Sequence, residues 1–85
     1  MNMENKIDTK LKKIFLNVFQ DLKDADFYLN KPRRDFENWD SLSHLQLVSE
    51  IESAFDIRFE MEDIIEIESP VDFKILIEKK LNKNK

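Results

Sequence analysis

Apolar residues recur at steps of three and four along several stretches of the chain, and the intervals between those stretches lack the period. Ile7, Leu11, Ile14, Phe15, Val18, Phe19 and Leu22 form the first stripe. A stripe of this kind is the core-facing side of an amphipathic helix and predicts a first helix from about Glu4 to Lys23. Lys6, Lys10, Lys12 and Lys13 fall mostly off the stripe. Leu42, Leu45, Val48, Ile51 and Phe55, widened by Leu47 and Ala54, predict a second helix over Ser41–Phe55. Asp40 is a preferred N-cap for it, an acceptor for a first-turn N–H and an anion at the positive end of the helix dipole. Val71, Phe73, Leu76, Ile77 and Leu81 mark a last helix reaching about Leu81. Its start reads as Ser69 at the cap, Pro70 in the first turn and Asp72 completing a capping-box-like arrangement. The terminal "NKNK" is expected to fray.

The intervals are of two kinds. Residues 24–40, "DADFYLNKPRRDFENWD", have no sustained period, and Pro32 disfavours helix at and before itself. A connection this long in a compact domain is usually ordered for a reason. Phe27, Tyr28, Leu29, Phe36 and Trp39 are its apolar anchors, and Phe27, Phe36 and Trp39 are expected to be largely buried. "FDIRFEM" alternates with period two, but no second strand-like segment exists to pair with it. An extended connector is expected there, followed by a short helix over Met61–Ile67 with Ile64, Ile65 and Ile67 apolar. The expected fold is therefore all-α, a small four-helix bundle of three longer helices and one short one, in a single domain spanning residues 1–85.

Composition narrows the chemistry. Cysteine and glycine are both absent. The first excludes disulfides and thiolate metal sites; the second excludes glycine-rich phosphate loops and the dinucleotide fingerprint. No metal site is expected. No apolar run has the length of a leader or a membrane span, so a cytoplasmic, soluble protein without a membrane role is expected. Charge is unevenly placed. Residues 35–72 hold twelve acids against one base, Arg58, a net of −11. That stretch should repel nucleic acid and attract basic protein surfaces, unless it serves solubility alone.

Ser41 is the residue that composition leaves unexplained. Serine is a common capping residue, yet Asp40 can already fill that role, which leaves the Ser41 hydroxyl free. His44, the only histidine, stands one turn away as a formal base. An exposed first turn has no enclosing pocket, no glycine-built oxyanion site and no third group to orient the imidazole, so an enzyme is not expected. His44 reads most simply as a surface residue. A third use is covalent attachment. An exposed hydroxyl at a helix N-terminus suits a phosphodiester, which the dipole and free N–H groups favour.

The segment "DSLSHLQLVSEIESAF" resembles the modified-serine region of acyl carrier proteins, whose signature is Asp-Ser-Leu at the start of an amphipathic second helix. Here these are Asp40, Ser41 and Leu42. The resemblance extends over nearly the whole chain, through the long ordered loop, "FDIRFEMEDIIEI" and "SPVDFKILIEKKL". It implies that a phosphopantetheinyl transferase moves 4′-phosphopantetheine from coenzyme A to Ser41. The arm's thiol then carries acyl or aminoacyl groups as thioesters between biosynthetic enzymes with basic surfaces. It also implies that Glu50, Glu52, Glu60, Glu62, Asp63 and Glu66 meet those enzymes, and that the carrier works as a monomer.

The sequence departs from carriers of general fatty-acid synthesis. Trp39 precedes the signature where a glycine is usual. Ser43 and Gln46 stand where acids are usual, and Ser49 where an apolar residue is. A dedicated carrier for a specialised pathway is the reading these departures favour. The alternative is a small acidic helical interaction module without a prosthetic group, which would share the fold and charge but would not need a serine at position 41.

Overall fold

The computed structural model describes residues 3–83 of the chain. Four α-helices follow one another: α1 (Met3–Val18), α2 (Ser41–Phe55), α3 (Met61–Glu66) and α4 (Pro70–Lys83). The α1–α2 connection contains two single 3-10 turns, Asp24–Asp26 and Arg33–Asp35. No strand occurs among the described residues, and residues 57–60 are the connector that lack of a pairing partner implied. Ile57 and Phe59 point inward from it while Arg58 and Glu60 face solvent.

Helix α1 stops at Val18, five residues short of the expected end. Nothing in the sequence announces that stop, since neither glycine nor proline follows. Phe19 still donates its N–H to Phe15 O (2.9 Å), and Leu22 then closes a turn onto Phe19 O (2.9 Å). The turn delivers Phe19 and Leu22 to the core as a helix would have done, so periodicity alone could not separate the two. Helix α4 runs past Leu81 to Lys83; the rest of the tail expected to fray lies outside the described residues.

The core is organised around Phe15, which is fully buried. Its ring lies 5.4 Å from Phe27, 5.7 Å from Phe36, 5.4 Å from Trp39 and 6.1 Å from Phe73, centroid to centroid. The long connection is thus hung on α1 by aromatic contacts. Backbone bonds tie it to the start of α4 as well, Arg33 N–H to Glu68 O (2.7 Å) and Val71 N–H to Leu29 O (2.8 Å). Phe36 and Trp39 are buried as expected. Phe27 packs on Phe15 from the rim of the core and is only half-buried, and Tyr28 is more than half exposed.

Two amphipathic faces differ from expectation. The buried side of α2 is His44, Leu47, Val48 and Ile51, while Leu42 and Leu45 are 77% and 59% exposed. The inward face is rotated by about one residue from the leucine stripe, because the ring of His44 belongs to the core. On α3, Ile64 is half-buried and the adjoining Ile67 buried, but Ile65 is exposed, as is Met61. At the start of α4, Asp72 accepts from the N–H of Glu68 (2.8 Å) rather than from that of Ser69, and its own N–H goes to Ser69 O (3.1 Å), so the start is held by one side-chain bond rather than by the expected reciprocal box. Helix α2 ends at Asp56, the only positive-φ residue described (φ 56°). Aspartate tolerates this left-handed position better than most residues, in a chain that has no glycine to offer.

Candidate functional site

The first turn of α2 is built by a reciprocal cap. Asp40 Oδ1 accepts from the backbone N–H of Ser43 (3.0 Å), and the Asp40 N–H donates to Ser43 Oγ (2.9 Å). The Ser43 hydroxyl donates in turn to Asn38 O (2.8 Å), which fixes the chain entering the helix. The Ser43 backbone N–H, and after it the Ser43 hydroxyl, hold the Asp40 carboxyl below its ordinary value. Ser43 is therefore the second half of a capping box.

With Asp40 and Ser43 occupied by each other, Ser41 has no part in the cap. It is the first helical residue, it is exposed, and its hydroxyl has no hydrogen-bond partner among the described residues. Leu42 projects beside it into solvent. A covalently joined phosphodiester fits this position. The oxygen is accessible and the helix end is positive. No tie within the protein would have to be broken. Ser41 would hold such a group, and the group would supply the thiol that this cysteine-free chain lacks.

His44, one turn further along the helix, is buried, contrary to the expectation of a surface residue. Trp39 Nε1 donates to its Nδ1 (2.8 Å), and its Nε2 lies 2.8 Å from Ile64 O. The ring cannot act as a base on Ser41 while both nitrogens are engaged inside. A signal for this pair did exist in the sequence: Trp39 precedes the cap and His44 is four residues after it, the spacing of a hydrophobic staple.

The candidate partner acids divide by engagement. Glu60, Glu62 and Glu66 are exposed, and Glu50 is half-buried on α2. Glu52 accepts from the N–H of Phe59 (2.8 Å) and so fastens the connector to α2. Asp63 accepts from the N–H of Glu60 (3.1 Å) and pairs with Lys80 (3.5 Å), fastening α3 to α4. No acid stands in the first turn of α2, and Ser41, Leu42, Leu45 and Gln46 of its first two turns are uncharged and exposed. Among the described residues no group of acids or His44 is arranged to hold a metal, and no helix is long and apolar enough to cross a membrane.

A family model described as the phosphopantetheine attachment site matches residues 13–77. Comparison with curated proteins and with solved structures returned no match. The matched span runs from within α1 into α4 and contains the α2 cap, the connector and α3. Carrier domains of this family take 4′-phosphopantetheine covalently and are served by phosphopantetheinyl transferases and biosynthetic enzymes. The chain belongs to the phosphopantetheine attachment site family, of which the acyl carrier proteins are part.

Proposed function

We propose that Ser41 is the residue joined to 4′-phosphopantetheine, and that the protein carries acyl or aminoacyl groups as thioesters without catalysing their chemistry. The observation that supports this most is the division of labour at the cap. Asp40 and Ser43 satisfy each other, and the Ser41 hydroxyl is left exposed and unpartnered at the helix end. Asp40 sets the entry of the helix and Leu42 flanks the attachment oxygen. The transferase supplies the catalytic groups, and the protein supplies a rigid, accessible hydroxyl.

Glu50, Glu60, Glu62 and Glu66 are the acids placed to meet basic enzymes. Glu52 and Asp63 have internal partners, and their proposed contribution is through the shape of the connector and α3 as well as through charge. The uncharged first turns of α2 favour a specialised pathway with its own enzymes over general fatty-acid synthesis. The protein is proposed to act as a monomeric single domain in the cytoplasm. The test is covalent: wild type exposed to coenzyme A, magnesium and a broad-specificity transferase should gain one arm, and Ser41→Ala none. An interaction module without a prosthetic group would gain nothing in either form.

A further inference from the structure

The indole N–H of Trp39 can only donate, so Nδ1 of His44 accepts. The neutral ring then carries its proton on Nε2, which donates to Ile64 O. Trp39 and His44 are 6% and 7% exposed, so both bonds lie in the interior, where an unmade bond is expensive. The imidazole also stacks on the indole (5.8 Å, 29°) and packs against Phe73 (6.2 Å). One side chain therefore joins the loop before the cap, the first turns of α2 and the body of α3.

Apart from Ile67, buried at its C-cap, helix α3 has little else to hold it. Six residues are too few for a helix to persist alone. Met61 and Ile65 face solvent and add nothing to its attachment. Its ion pair, Asp63 with Lys80, is partly exposed and of modest strength. The Ile64 side chain packs on the core while its carbonyl is held by His44. We propose that His44 is a positioning residue for modification of Ser41. It clasps α3 to α2, so that an enzyme meets Ser41, Leu42 and the exposed side of α3 as one preformed surface. This rests on the reading of Ser41 as the attachment residue. With the clasp open, only the fraction of molecules with α3 in place is competent to dock. KM for the carrier then rises by the reciprocal of that fraction while the step after docking is unchanged.

Three proteins test it: wild type, His44→Phe and His44→Gln. Phenylalanine keeps a ring against Trp39 and Phe73 but removes both polar ends. Losing a buried bond and orphaning its partners moves such an equilibrium about tenfold. Amide exchange over residues 61–67 should therefore accelerate about tenfold in His44→Phe, with α1 and α4 still protected. KM of a broad-specificity transferase for the carrier should rise as the reciprocal of the α3-docked fraction that the exchange data give, with kcat nearly unchanged. His44→Gln, whose amide offers an acceptor and a donor, should recover part of both effects. Unchanged exchange in His44→Phe, an unmoved KM, or a loss confined to kcat overturns the proposal. Should His44→Phe not fold, wild type decides: the Trp39 indole proton must be protected from exchange, and rapid exchange there overturns the clasp. Failure of every transferase to modify wild type would instead remove the reading of Ser41, and the exchange data distinguish the two because they need no modification.

Discussion

Replacing Trp39 by Phe separates what the indole packs from what it bonds. The phenyl ring can keep the contacts with Phe15, Phe36 and Phe73, whose centroids lie 5.4, 5.0 and 6.4 Å from the indole. What is lost is the donor to His44 Nδ1 and part of the buried area. An orphaned buried acceptor costs about 1–3 kcal/mol, so Trp39→Phe should destabilise by about 2 kcal/mol. For a domain of this size that lowers Tm by about 8–16 °C. Trp39→Ala adds a cavity and should cost about 3–5 kcal/mol or more, against a total stability of about 4–13 kcal/mol. The double variant Trp39→Phe/His44→Phe should cost less than the sum of its singles, because neither end of the Trp39–His44 bond is then left without its partner. Urea unfolding of the two singles and the double measures this coupling, expected at about 1 kcal/mol. Strict additivity, or a Trp39→Phe loss below about 0.5 kcal/mol, would refute the reasoning.

Ser43→Ala should lower stability by about 1 kcal/mol through loss of the capping box, read by urea unfolding, and leave the Ser41 hydroxyl accessible. Asp40 has a folded pKa below its ordinary value of 3.8, so the cap stabilises above that value and the gain disappears as pH falls through the lower folded one. Asp40→Asn should accordingly flatten the acid limb of the stability profile in that window, as followed by circular dichroism. Modification by a transferase should slow as salt rises, since exposed charges are screened within about 8–10 Å at moderate ionic strength. Glu62→Lys or Glu66→Lys should slow it at low salt without changing Tm, and rates indifferent to both would leave these acids as solubility groups.

Much of the architecture was legible because local signals were explicit. Asp40 and the period after it place α2 at Ser41–Phe55, as observed. The end of α1 was not legible, because Leu22 keeps helical register across a turn. The burial of His44 was missed because an imidazole counts as polar in any stripe. Only the fold shows that Trp39 and Ile64 O satisfy both of its nitrogens. The leucine stripe misled for the same reason, leaving Leu42 and Leu45 outside. The Asp40-Ser41-Leu42 signature marked the candidate site through family resemblance. Composition could not say which acids are spent within the chain. Glu52 and Asp63 bond to connector and cap amides that come close only after folding.

The central claim is that Ser41 alone receives the arm. Intact mass and peptide mapping of wild type and Ser41→Ala, after incubation with coenzyme A, magnesium and a broad-specificity transferase, address it directly. The account predicts a single phosphopantetheine on wild type, on the peptide containing Ser41, and none on a folded Ser41→Ala variant. Addition at another residue, modification of Ser41→Ala, or an unmodified wild type with several transferases would contradict it.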